Sequence, residues 1–142
     1  MTAQSILLSD ARLSDGEAAD LLIQDGTVAA IAPCGGLTLP LGEPPVRIDL
    51  AGQLLLPSLV DGHTHLDKTL WGMPWRPHAA EDIRSSRIDT EKEERKTLPP
   101  VEERASALLR SMVAQGTTAT RTHVDIDPEI GLSSLHALVR LR

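Results

Sequence analysis

The feature that most restricts the fold is an apolar run that starts just after Gln53, reaches Val60 and stops in the polar cluster Asp61-Gly62-His63-Thr64-His65. Leu54, Leu55 and Leu56 continue past Pro57 into Leu59 and Val60 without polar alternation. Such a run suits a strand covered on both faces, as in a parallel sheet or barrel. A second stretch, Thr117 to Ile126, is rich in β-branched residues and also closes in a polar cluster, Arg121-Thr122-His123-Val124-Asp125. Between the two, Val101, Ala105, Leu108, Leu109 and Met112 fall at helical spacing. Pro99-Pro100 precede them, Glu102 and Glu103 suit the positive end of a helix dipole, and Gly116 stands just past the end. Ser133 to Leu141 starts another amphipathic helix. Strand, helix, strand, helix, with polar residues collected at strand C-terminal ends, is the grammar of a β/α barrel whose chemistry sits on that face.

Upstream, short strands are expected at Ile6–Leu8, Ala19–Ile23, Val28–Ile31 and Val46–Leu50. Asp25-Gly26 between two of them predicts a tight hairpin, because a primed turn needs positive φ. The Pro- and Gly-rich stretch Pro33 to Pro45 reads as a surface loop. The chain thus divides into a small β-unit, residues 1–52, and a β/α region, residues 53–142. Within the latter, Trp71 to Pro100 is a long charged connection. Glu81 to Lys96 is helical at most on its surface, since only Ile83 and Ile88 are apolar, and Glu91 to Lys96 reads as a solvated face.

Composition narrows the partners. The 142 residues contain no Phe or Tyr and only two Trp, so the core must be aliphatic. A net charge of −6 with scattered basic residues offers no phosphate-neutralising surface, and nucleic acid is not an expected partner. The single cysteine, Cys34, has no internal disulfide partner and is expected to pack as a small apolar residue, as fits a reducing compartment. With no basic start and no run approaching the ~20 apolar residues of a membrane span, the expectation is a soluble, cytoplasmic protein without a membrane partner.

Residues two apart in a strand share a face, so His63 and His65 project together and Thr64 points away. Two imidazoles so placed can share a metal ion, although the same spacing also occurs in partly exposed strand-end histidines that bind nothing. The segment from Leu56-Pro57-Ser58 through Asp61-Gly62-His63-Thr64-His65 to Leu66-Asp67-Lys68-Thr69 resembles the first barrel strand of the amidohydrolase superfamily. Together with Arg121-Thr122-His123-Val124-Asp125, it is similar to the cytosine-deaminase branch, and the resemblance extends over essentially the whole chain. It implies the N-terminal part of a metal-dependent (β/α)8 barrel preceded by a small β-unit, with the barrel incomplete. It further implies one divalent ion, iron or zinc, held in part by His63 and His65, and a metal-activated water that deaminates cytosine or a related small heterocycle. The His-x-Glu and Pro-Cys-x-x-Cys motifs of the small zinc deaminases do not occur.

Ser58 stands where the family usually has Gly, and backbone strain of about 1 kcal/mol is conceivable there if φ is positive. The family's third histidine, acid/base and last-strand aspartate fall beyond residue 142, so no catalytic residue is assigned within the chain. His136, in the last helical run, is expected on the outside. His123 can line the pocket or support a ligand, or be a structural histidine, and Asp125 can orient it or serve a helix cap or loop. Asp67 can accept a hydrogen bond from a ligand histidine or pair with Lys68. Trp71 and Trp75 can wall a flat heterocycle or pack their loop down, and His78 is expected to face solvent.

Three functions are compatible with these residues. One is a hydrolase of carbon–nitrogen bonds other than peptide bonds, for which a homo-oligomeric state is also compatible. Another is a truncated, inactive piece of such an enzyme, expected because two barrel strands leave sheet edges uncovered. The third is a stand-alone α/β binding domain in which the helix after Pro100 packs on the N-terminal strands.

Overall fold

In the computed structural model, which describes residues 4–39, 41–75, 77 and 84–141, the chain forms two compact units, Met1–Pro57 and Ser58–Arg142. The first is organised around the Asp25-Gly26 turn. Strands β2 (Ala18–Gln24) and β3 (Thr27–Pro33) pair antiparallel with Gln24 opposite Thr27. The two turn residues take φ of 49° and 74°, as a two-residue primed turn demands. Strand β1 (Ile6–Arg12) pairs antiparallel with β2 and parallel with β4 (Val46–Asp49), giving the order β3-β2-β1-β4. Ala11, Ala19 and Leu21 form the buried centre, with Leu8, Leu13, Leu50 and Leu55 packed around them.

A buried carboxylate fastens this unit. Asp20 accepts hydrogen bonds from the backbone N–H of Asp10 at 2.9 Å and of Gly35 at 2.8 Å. It thereby ties the register irregularity of β1, where Asp10 has φ of 53°, to the turn after β3. Those two donors hold the Asp20 carboxyl below the usual carboxylate range. Cys34 does not pack as expected. It is exposed at the same turn, with Sγ 3.9 Å from an Asp10 carboxylate oxygen.

In the second unit, β5 (Leu59–Thr64) lies parallel to β6 (Thr117–Thr122), with Leu59 opposite Thr117 and Thr64 opposite Thr122. Helices α1 (Arg84–Arg95) and α2 (Val101–Ala114) lie between them in sequence, and α3 (Ser133–Arg140) follows. The predicted stripe of α2 is the one used. Leu66, Ala105 and Leu138 are its buried centre, flanked by Val101, Leu108, Leu109, Met112, Val124 and Leu141. Gly116, at φ of 91°, ends the helix and passes its carbonyl to the Leu59 N–H at 3.0 Å, which starts β5. Helix α1 buries no residue; Ile88 is exposed, and Glu81, Ile83 and His78 lie outside the described residues.

Three expectations are corrected. The apolar run is not one strand covered on both faces: Leu54 only bridges Arg12, β5 begins at Leu59, and Val60 is 71% exposed. Covering a face takes a packed helix or a second layer, and among the described elements β5 contacts β6 alone. The second strand ends at Thr122 rather than Ile126, so His123 to Ile126 is loop. Ser58 is not among the described residues with positive φ, so the anticipated strain is absent; its hydroxyl shares a 2.6 Å hydrogen bond with that of Thr118.

Candidate metal centre

The parallel pairing of β5 and β6 brings their C-terminal ends together, and three hydrogen bonds extend the contact beyond the strands. The His123 N–H donates to the Thr64 carbonyl at 2.8 Å, and the Leu66 N–H to the Thr122 hydroxyl at 3.1 Å. The Asp125 N–H donates to an Asp67 carboxylate oxygen at 2.8 Å. Asp61 accepts the His63 N–H at 3.0 Å, within β5 where its register against β6 is irregular.

This geometry gathers three imidazoles. Ring centres are 5.7 Å apart for His63 and His65, 4.2 Å for His63 and His123, and 5.6 Å for His65 and His123. Desolvation, then the neighbouring His63, Arg121 and His65, push the His123 imidazole below its ordinary range, toward the neutral form that can bind a metal. His63 and His123 are exposed and His65 is half-buried. His136 is exposed on α3, as expected.

Behind His65 lies a second convergence. Its Nδ1 is 3.7 Å from Asp67 Oδ1 and 3.9 Å from Asp125 Oδ1, and these three residues can bring ligand atoms within 4.8 Å of one another. His65 Nδ1 and Asp67 Oδ1 are both buried and, among the described residues, without a hydrogen-bond partner. Buried polar atoms left this way call for a proton or an ion to complete them. The donor set, imidazoles backed by carboxylates, suits iron or zinc, so the residues present fit a divalent ion.

Asp67 does not pair with Lys68. It is buried, while the Lys68 ammonium reaches Asp125 at 2.7 Å and Glu91 at 2.9 Å. Nor is Glu91 to Lys96 a purely solvated face, because Glu91 holds Lys68 and Arg95 pairs with Asp127 and Glu129. Trp71 and Trp75 are 56% and 86% exposed, so neither packs its loop down. A cavity of about 380 Å³ opens beside the carboxylates, lined by Asp67, Lys68, Arg95, Arg104, Asp125 and Asp127 among others.

Arg104 escaped the sequence reading. It is 5% exposed and donates to the carbonyls of Pro99, Asp67 and Thr69. One signal was available: Arg104 is three residues after Val101 and one before Ala105, so a charge falls on the apolar stripe of its helix.

No family model matches the sequence. The chain is 37% identical over 123 residues to the protein named YahJ from Escherichia coli strain K12, spanning 82% of this chain and 25% of that protein. It superposes on N-isopropylammelide isopropylaminohydrolase from Burkholderia multivorans with a TM-score of 0.86 and 39% identity, over 99% of this chain and 34% of that one. Against 5-methylcytosine deaminase from Klebsiella pneumoniae the TM-score is 0.68 at 27% identity, over 97% and 32% of the two chains. The chain therefore spans about a quarter to a third of the length of these proteins. Among the described residues, no helix is long and apolar enough to cross a membrane. By sequence and by its mixed α/β fold, the relatives and neighbours of this chain are amidohydrolase-family deaminases and hydrolases, matched over part of their length as an N-terminal portion would be.

Proposed function

We propose that the protein is a metal-dependent hydrolase of carbon–nitrogen bonds other than peptide bonds, deaminating cytosine or a related small amino-heterocycle, with His63 and His65 holding one divalent ion, iron or zinc. The observation that carries this is the His63–His65 pair at the end of β5, ring centres 5.7 Å apart, with the buried Asp67 carboxylate behind His65. The two superposing structures add support, since their names record a 5-methylcytosine deaminase and an isopropylaminohydrolase.

A divalent ion held there supplies Lewis acidity and lowers the pKa of water toward neutrality. The remaining roles belong to the chain. Asp67 backs His65, and Asp125 is held to Asp67 through its N–H and to Lys68 through its carboxylate. His123 flanks the pair, and the exposed face of Trp71 is available to a flat ring. We take residues 1–52 as a small β-unit and residues 53–142 as the first two β/α units of a (β/α)8 barrel in a cytoplasmic enzyme. A second reading, an inactive fragment of such an enzyme, is compatible with the partial coverage of the relatives.

The test measures metal content after loading with zinc or ferrous iron, and ammonia or amine release from cytosine, 5-methylcytosine and an N-isopropylamino triazine. His63→Ala combined with His65→Ala is expected to abolish stoichiometric metal. Unchanged metal content in that double variant sinks the ligand assignment. Bound metal without turnover of any of the three favours the fragment.

A further inference from the structure

Burying a guanidinium is costly unless its nitrogens find acceptors, and α2 buries one against main chain. Arg104 Nε donates to the Pro99 carbonyl at 3.0 Å and Nη2 to the Asp67 carbonyl at 2.9 Å, while Nη1 donates to the Thr69 carbonyl. The rigid fork therefore bridges the start of α2 and two points of the loop that follows β5. One of those points, Asp67, immediately follows Leu66 and is two residues past His65. The Asp67 carboxylate is fixed in turn by the Asp125 N–H on Oδ2, which leaves Oδ1 buried, unpartnered and facing His65 Nδ1 at 3.7 Å. A shift of less than about 1 Å closes that gap to a hydrogen bond.

We propose that Arg104 is a positioning residue for the candidate metal centre: by clamping the main chain of Asp67 and Thr69 it aims the Asp67 carboxylate at His65 Nδ1. His65 is thereby held as the Nδ1–H tautomer, with Nε2 left to bind the ion. This rests on the ligand role given to His65 above, but the tautomer itself is a property of the metal-free chain. Arginine suits the task because one side chain satisfies three carbonyls from two segments, which lysine, with a single ammonium, cannot do in a fixed plane. Burial lowers the basicity of Arg104 and the charge of Asp67 offsets part of that, so the clamp and the carboxylate it positions support each other.

The test uses the metal-free chain labelled with ¹⁵N at about pH 8, above the ordinary imidazole range. Long-range proton–nitrogen correlation reports the His65 tautomer, and calorimetric titration with zinc reports affinity. Arg104→Met, which keeps the stem and removes the donors, is expected to lose the Nδ1–H tautomer and to weaken zinc roughly 10-fold or more, as loss of an outer partner does. Arg104→Lys should fall between Arg104→Met and the parent. Leu109→Ala loosens the same helix without touching the clamp. It should lower stability and leave the tautomer unchanged.

Retention of the tautomer and of zinc affinity within twofold in Arg104→Met overturns the proposal. So does an equal tautomer shift in Leu109→Ala. If Arg104→Met does not fold, Arg104→Lys decides, and an unshifted His65 in that variant overturns the clamp. Failure of the parent chain to bind zinc while the tautomer responds to Arg104 strikes the ligand role of His65 and leaves the clamp standing.

Discussion

Leu66 is the side chain that joins the candidate centre to its support, and its removal has a calculable cost. It is 4% exposed at the middle of the Leu66, Ala105, Leu138 cluster, immediately after His65. Leu66→Ala deletes three buried carbons, a transfer loss of roughly 2.4 kcal/mol at ~0.8 kcal/mol per methylene. Partial relaxation leaves a cavity, which raises the total to about 3 kcal/mol. For a unit of this size, with a urea m-value on the order of 1 kcal/mol/M, the midpoint should fall by about 3 M. Far-UV circular dichroism at the helical band is the assay, because all three described helices belong to the same unit. Val139→Ala on α3 is the internal control: Val139 is 61% exposed, and its loss should stay within about 0.5 kcal/mol. A Leu66→Ala midpoint no lower than that of Val139→Ala would refute the claim that this cluster holds the unit together.

Asp20→Asn should destabilise the N-terminal unit by about 1–3 kcal/mol, since two backbone donors in part-buried hydrogen bonds lose a charged acceptor, as read by amide exchange at Asp10 and Gly35. Because the Asp20 carboxyl is held below its ordinary range, its contribution is complete above about pH 4 and disappears as pH falls through the folded value; the variant should lack that acid dependence. Arg95 holds the Asp127 carboxyl far below the usual range, first by its hydrogen bonds, with the Glu129 and Ile130 N–H groups helping. The same sign applies, so Arg95→Met should flatten the loss of helical signal below about pH 4 relative to the parent, measured by an acid titration.

What could be read ahead of the structure was whatever is encoded locally. The Asp25-Gly26 turn needs only its own positive φ values, and the α2 stripe repeats over about three turns, so both were legible. Strand limits were not. Leu54 to Val60 is apolar but for Ser58, and apolarity alone does not say which residues find a ladder partner. The proximity of His123 to His63 depends on the pairing of Thr64 with Thr122, a register that a Thr-rich strand does not announce. The partners of Asp20 and Arg104 were hidden for a common reason: they are backbone N–H groups and carbonyls, which every residue carries, so no complementary side chain marks them.

The three cross-links beyond the strand ends, His123 to Thr64, Leu66 to Thr122 and Asp125 to Asp67, also limit where this chain tolerates length variation. One residue inserted between Thr64 and Asp67, or between Thr122 and Asp125, would slide every later link out of step and rotate the imidazoles away from one another. Among the described residues, no such coupling ties down Gly42 to Pro44, which are exposed in the loop before β4. Diversification by insertion is therefore channelled away from the histidine end of the strand pair, where change must come by substitution alone.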